Sequence, residues 1–488
     1  MFGALVLAAA AHVAPLNVVV LFTDDHRRTA VGALGIEPVK TPNIDTLYRD
    51  GTGFSNCSTM GGPHGALCVP SRAMLMTGRN LWHLGPRDPK TGAVDVGQVR
   101  EEFTTWPEVF RAHGYQTFFT GKWHNNKDAV NRLFTDGAAL FFGGMHAYET
   151  NGHFEPRIHD FDPTSAYPES DRHEVEAYSS ELYANGAIEF LARRRDKSKP
   201  FAMYVAFTAP HDPRKAPPEW HAMYPPEKIE LPPNFMPQHP FDNGDMKVRD
   251  EMLSPVPRTE ARTRQDIADY YAMVSEVDAQ IGRILDTLKR EGLEQNTLVV
   301  LIGDNGLAVG QHGLLGKQSA YEHSMGVPLV FRGPGIPEGQ MRSALVYHHD
   351  VAATLLEMAG MPRPKTMEAK SLVPVLTDPA RVHRPVMVNC YQNRQRAVHI
   401  GDWKLIRYSV HGVEHAQLFN LAEDPWETKS LLGQPGSFAR YRELNDALRD
   451  WMREQDDPGY DQFFEKAINR GSNGRSKPPR SAVSRARS

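Results

Sequence analysis

Cysteine is scarce in this chain: Cys57, Cys68 and Cys390 are the only three among 488 residues. Three thiols cannot build a disulfide framework, and their spacing matches no structural zinc site. Long apolar runs are also missing. The most apolar stretch, at the N-terminus, is too short to span a bilayer as a helix, so the chain reads as having no integral membrane segment. A surplus of basic charge is absent as well. The formal net charge is −4, and the last 18 residues alone carry five basic side chains and no acidic one. The remaining body holds 50 basic against 59 acidic side chains, near −9, which argues against a nucleic-acid binder. Any anionic substrate must therefore be held by a locally basic pocket.

What is present points to a large globular α/β protein. The length exceeds one ordinary core and suggests a large unit with a smaller companion. The 37 prolines and 39 glycines indicate a loop-rich surface. Residues 1–14, with the apolar Leu5-Val6-Leu7 followed by small residues, read as a secretory signal without a basic start. That places the protein in the periplasm or outside the cell, or in the cytoplasm if the segment is not a working signal.

Short, nearly continuous apolar runs mark buried parallel strands, and each ends in chemistry. Asn17–Thr23 delivers Asp24 and Asp25, adjacent carboxylates that repel unless a cation sits between them or one is protonated. His26, next in line, reads as a solvated loop residue. The run from Tyr115 to Thr120 leads to Gly121-Lys122-Trp123-His124, and in an extended segment Lys122 and His124 project to one side. Phe201–Phe207 ends near His211, and Thr297–Gly303 delivers Asp304 and Asn305. Open α/β sheets bind ligands at such carboxyl ends. Apolar spacings of three and four from Ile267 to Leu288 predict a core-facing helix, and Ser179–Arg195 predicts another. Residues 145–175 and 213–262 read as long loops over the site, the second an insertion across its face. Beyond about residue 380 the pattern changes to short strands with tight turns.

Cys68-Val69-Pro70-Ser71-Arg72 lies on a loop entering a short helix that Gly78 stops. A helix start with Arg72 one turn on is expected to lower a thiol pKa and to seat an anion. This pentapeptide with Thr77-Gly78-Arg79 resembles the maturation motif of the type I sulfatases, in the alkaline phosphatase superfamily. The Thr41-Pro42-Asn43 turn, Gly121-Lys122-Trp123-His124, Pro210-His211, Asp304-Asn305-Gly306, His312–Lys317 and Gln417–Asn420 follow in the family's order. One departure is Asn125-Asn126 in place of the commoner Leu-Gly, expected to alter the substrate side of the pocket.

The resemblance implies a mixed, mostly parallel sheet sandwiched by helices over residues 15–380. It further implies an antiparallel C-terminal subdomain over 381–468, before a basic tail at 469–488. It implies that Cys68 is oxidised to formylglycine by a formylglycine-generating or anaerobic sulfatase-maturating enzyme, and that its hydrate attacks sulfur. Asp24, Asp25, Asp304 and Asn305, with the modified Cys68, would hold Ca2+ or Mg2+, since hard oxygen donors suit these ions better than zinc. Arg72 would hold the nucleophile, Lys122 and Lys317 the sulfate oxygens. His211 would protonate the departing alcohol, and His124 would help expel sulfate. If Cys68 is modified, Cys57 and Cys390 are the one pair still open to a disulfide, and nothing in the sequence shows that they form it. The substrate would be a sulfated glycan or a small sulfate ester, with Asn393, Arg394 and His399 as candidates for reading it. A phosphonate or phosphodiester hydrolase on the same scaffold and a non-catalytic glycan-binding protein are the alternatives.

Overall fold

The computed structural model describes residues 15–465 except 91, 92, 150 and 165; residues 1–14, read above as a secretory signal, and the basic tail at 469–488 lie outside the described residues. Eight strands form the main sheet, in the order Gln340–Arg342, Thr52–Phe54, Leu329–Arg332, Thr297–Gly303, Asn17–Thr23, Phe201–Ala206, Gln116–Lys122, Asp136–Phe141. The last five in that order are mutually parallel, and Leu329–Arg332 runs against both of its neighbours.

The two faces of the sheet carry alternate residues, as a period of two requires. Val18, Val20 and Phe22 pack with the helices Cys68–Thr77, Trp106–Ala112 and Asp350–Met358. Val19 and Leu21 pack with Pro42–Arg49, Ser179–Glu189 and the long helix Glu260–Arg290. Burial on both faces explains why these strands read as unbroken apolar runs, as expected of a sandwich.

The C-terminal strands Met387–Tyr391, Gln395–Ile400, Trp403–Val410 and Val413–Asn420 form an antiparallel meander. Gly61–Gly62, a few residues before Cys68, adds a fifth, parallel strand at its edge. Val388, Val398 and Leu405 share one hydrophobic core with the main sheet. The smaller sheet is therefore built into the body, directly behind the entry to the Cys68 helix.

Candidate active site

The site begins with strand register. Thr23 pairs with Gly303, so the two carboxylate-bearing turns leave the sheet side by side. The Asp304 N–H donates to the Thr23 carbonyl at 3.1 Å. Asp25 adopts a left-handed backbone, φ 60°, which turns its N–H onto Asp304 Oδ1 at 2.9 Å. The Tyr270 hydroxyl locks this turn, donating to the Asp25 carbonyl at 2.9 Å and accepting from the Arg27 N–H at 3.0 Å.

Lys122 and His124 arrive by a different route from the extended segment expected. The register slips between Thr120 and Gly121, and Gly121 has φ +97°, where a Cβ would lie 1.9 Å from the Ala206 carbonyl oxygen. Only glycine fits this bulge, and the bulge sends Lys122 onto Asp24. His124 is itself left-handed, φ 52°, and its Nδ1 lies 3.2 Å from Cys68 Sγ. Gly144 lets the ring sit there, since a Cβ at 144 would come within 2.7 Å of His124 Nε2.

Cys68 opens the helix Cys68–Thr77, and Gly78 ends it in a left-handed cap, as expected. Ser71 Oγ donates to the Asp304 carbonyl at 2.8 Å, and His348 Nε2 lies 2.9 Å from Ser71 Oγ, so the helix is bonded to the Asp304 turn. One turn on from Cys68, Arg72 Nη2 reaches Asp24 Oδ2 at 2.8 Å and Asp304 Oδ2 at 3.2 Å. Its Nη1 donates to the Lys122 carbonyl at 2.7 Å.

Three carboxylates thus face three cations, all buried: Asp24, Asp25 and Asp304 against Arg72, Lys122 and Lys317. Lys317 Nζ donates to Asp25 Oδ1 at 2.7 Å, and Asn305 Nδ2 to the same oxygen at 2.6 Å. Burial would raise the Asp24 carboxyl, yet Lys122 and Arg72 hold it well below its ordinary range. Burial and the neighbouring Asp24 push Asp304 up to about 7. Burial and Lys122 push His124 down to about 2, keeping it neutral. The Cys68 thiol runs against expectation: burial raises its pKa despite Lys122 and Lys317, because a thiolate at the foot of this pocket loses its water.

His211 sits 3.6 Å by Nε2 from Asp25 Oδ2, and its Nδ1 lies 2.9 Å from the Asp212 carbonyl oxygen. Cys68, His124, His211 and Lys317 line a cavity of about 340 Å³. Every residue singled out for catalysis or metal binding therefore lies at this one sheet edge. Sequence reading missed the wall of the cavity. Arg249 and Asp250 come from the irregular 213–262 insertion, Gly65 from the loop before Cys68, and Gln318 from the position after Lys317. The available signal was that the insertion lies over the site; no periodicity marks which of its residues face inward.

Other expectations are corrected. His26 is not solvated but buried, bonded to Thr23 Oγ1 and the Ala30 carbonyl. Asn125 and Asn126 stay out of the cavity and brace their own loop, Asn126 Oδ1 accepting from the Val99 N–H at 2.8 Å. His399 is buried against Asn389 and Glu322, away from the cavity. Asn393 is exposed, and Arg394 is tied to Asp245 of the insertion. Cys57 and Cys390 are each buried and free, so the two thiols do not pair here.

Could these residues hold a cation? Asp24 Oδ1 and Asn305 Oδ1 are buried without any hydrogen-bond partner. Donor atoms of Asp24, Asp25 and His211, and of Asp24, Cys68 and Asp304, lie within 4.8 Å of one another. Unpartnered buried oxygens are costly, and a hard divalent ion supplies what they lack. The donor set fits such an ion.

A buried cysteine, a carboxylate cluster whose donor set fits a divalent cation, and lysines aimed at the same point suit a hydrolase centre for an anionic ester. The chain belongs to the sulfatase family, whose sequence model matches residues 16–361; a second, N-sulphoglucosamine sulphohydrolase C-terminal, matches 310–455. It is a sulfuric ester hydrolase of the alkaline phosphatase superfamily. It is 26% identical over 511 aligned positions to an N-acetylglucosamine-6-O-sulfatase of Bacteroides thetaiotaomicron, covering 90% of this chain and 87% of that one. A solved structure in complex with D-glucosamine-2-N,6-O-disulfate superposes with TM-score 0.73 at 24% identity, over 91% of this chain and 99% of that one. The phosphonate monoester hydrolase of Agrobacterium radiobacter shares the fold at TM-score 0.68 and 19% identity, over 90% and 96%.

Proposed function

We propose that this protein removes sulfate from a sulfated carbohydrate, with Cys68 oxidised to formylglycine and with Ca2+, or Mg2+, held by Asp24, Asp25, Asp304 and Asn305. The observation that carries the reading is the convergence of Cys68, His124, Lys122, Lys317 and Arg72 on the carboxylate turns at one sheet edge. The sulfated-carbohydrate relative supports the substrate class. Residues 15–380 form the catalytic unit in this reading, and 381–468 the companion that supports its entry wall.

When present, the aldehyde would supply a hydroxyl oxygen of its hydrate as the nucleophile, and the cation would polarise the sulfate. The chain's own residues do the rest. Arg72, bonded through Nη2 to Asp24 and Asp304, fixes the cradle beneath position 68. Lys122 and Lys317 offset charge on the sulfate oxygens, the contribution that dominates in such displacements. His211 sets Nδ1 against the Asp212 carbonyl at 2.9 Å, which leaves Nε2 as the nitrogen that gives its proton to the departing alcohol. His124, neutral and 3.2 Å from the atom at position 68, accepts a proton from that side chain as sulfate leaves. Cys68 is 1% exposed at the foot of the cavity, so its oxidation by a maturating enzyme must come before the fold closes.

No helix among the described residues is long and apolar enough to cross a membrane. The reading of residues 1–14 as a secretory signal supports a periplasmic or secreted protein. The deciding experiment compares the matured, metal-loaded protein on sulfated sugars, an aryl sulfate, an aryl phosphonate and an aryl phosphodiester. Sulfate release fastest is the expected result; phosphonate or phosphodiester cleavage fastest would overturn the reading in favour of the phosphorus hydrolases. Binding of a sulfated sugar without any turnover would turn it into a non-catalytic one.

A further inference from the structure

The mouth of the cavity has a charge and hydrogen-bond balance that the hydrolytic chemistry does not explain. Arg249 is the cation there, 42% exposed, but it is already occupied. Its Nη1 and Nη2 grip Asp212 at 2.9 Å each. Nε and Nη2 donate to Asp250 Oδ1 at 2.9 and 2.6 Å, and Nη1 also meets Met145 Sδ. A guanidinium has five N–H bonds, and all five are directed at these groups. Both carboxyl groups are held below their ordinary range, with burial opposing and His211 and Arg249 prevailing at Asp212, and Lys317 and Arg249 at Asp250. Counted with its two carboxylates, Arg249 leaves a local charge of −1, with Lys317 at Asp250 and Arg214 at Asp212 acting from beyond that cluster.

Its donors are spent as well. Gln318 Nε2 gives its two protons to Asp250 Oδ2 at 2.7 Å and the Gly65 carbonyl at 3.1 Å, and Gln318 Oε1 accepts the Lys317 N–H at 3.0 Å. Asp250 Oδ2 takes that one donor and keeps a lone pair free for another. Among the described residues that line the cavity, Asp250 offers an acceptor, and both cations, Arg249 and Lys317, are already paired.

Resting on the sulfatase reading above, we propose that Asp250 and Arg249 select the alcohol part of the ester. They favour one that presents a hydroxyl or amine proton beside the sulfate and bears no second anion, a neutral or amino sugar, and disfavour uronate-bearing or multiply sulfated ones. The acceptor rewards a donor on the sugar, and the net negative mouth repels a second anion, since like charges juxtaposed at a binding surface are costly. The four sulfate-facing cations and histidines sit deeper and do not relieve this, because Lys317 and Lys122 are already paired with Asp25 and Asp24.

The test uses the matured, metal-loaded full chain with four kinds of ester: a neutral hexose monosulfate, the matching amino-hexose monosulfate, the same sugars with a second sulfate or a carboxylate, and an aryl sulfate. At low salt the singly sulfated sugars are expected to exceed their doubly anionic counterparts in kcat/KM by at least about 30-fold, and the gap to shrink at high salt. The two singly sulfated arms tell a neutral from an amino sugar. Asp250→Asn is expected to narrow the singly-to-doubly-anionic ratio about tenfold or more, through KM rather than kcat. Equal or faster turnover of doubly anionic sugars by the wild type would overturn the proposal. So would an Asp250→Asn ratio within about threefold of the wild type's, or turnover of the aryl sulfate alone. The wild-type comparison at two salt concentrations stands even if the variant does not fold. Failure on every sulfate ester, the aryl sulfate included, would instead refute the sulfatase reading beneath it.

Discussion

Replacing Lys317 with Met should move two quantities in opposite directions. The side chains are similar in length, and the change removes one buried positive charge from beside Asp25, 2.7 Å away. At an effective dielectric near 20, a unit pair at that distance attracts by about 6 kcal/mol, a ceiling from which the cost of burying the ammonium, several kcal/mol, must be subtracted. A net of about 1–3 kcal/mol is left, and in the wild type this holds Asp25 against an incoming cation. Without Lys317 the cradle carries three carboxylates against two cations, and its Ca2+ affinity should rise by roughly 5- to 150-fold. Turnover should fall at the same time by about 10²–10³, the usual loss when one fixed charge facing a developing oxyanion is removed. Isothermal titration with Ca2+ on metal-stripped protein reads the first quantity, and steady-state sulfate release at saturating Ca2+ reads the second. Weaker Ca2+ binding, or a kcat within about threefold of wild type, would refute the assignment of Lys317 to both the carboxylate cluster and the sulfate.

Three further outcomes follow from the same structure. Gly144→Ala places a Cβ 2.7 Å from His124 Nε2 and should tilt that ring off position 68, lowering kcat at least about tenfold with little change in Tm. Chelation by EDTA should abolish turnover reversibly and lower Tm, because Asp24 Oδ1 and Asn305 Oδ1 are buried without other partners; an unchanged melting curve would contradict the cation cradle. Glu276, 1% exposed on the long helix, has its pKa pushed up to about 8 by burial, and its Oε2 has no hydrogen-bond partner. The folded state favours the neutral acid, so its contribution is fully present below about pH 4.5 and is lost as pH rises through about 8. At 1.36 kcal/mol per unit the ceiling is about 5 kcal/mol. Glu276→Gln should flatten the fall in denaturant midpoint between those pH values, and an unchanged slope would count against it.

The strand ends were legible because buried parallel strands leave an unbroken apolar run, and the first polar residues after it can only lie at the sheet edge. Asp24, Asp25, Asp304, Asn305 and His211 were found in that way. The two sheet faces followed for the same reason. Residues that reach the site through loop conformation were less legible. Lys122 is aimed by a bulge at Gly121 and His124 by a left-handed turn, and a period of two cannot anticipate either. Arg249 and Asp250 lie in an irregular insertion, where facing is decided by tertiary contacts with Asp212 and Gln318. The Cys68 thiol misled for a physical reason: a helix start and nearby cations favour a thiolate, but full burial costs it more.

Everything proposed for the chemistry turns on the side chain at position 68, and mass spectrometry of the peptide spanning Cys68–Arg72 reads that side chain itself. In protein purified from its native host and active on sulfate esters, this residue is expected to have lost the elements of hydrogen sulfide, gained one oxygen, and to react with a hydrazine as an aldehyde does. Cys68→Ala is expected to be inactive. A fully active preparation with an intact thiol at position 68 would contradict that chemistry.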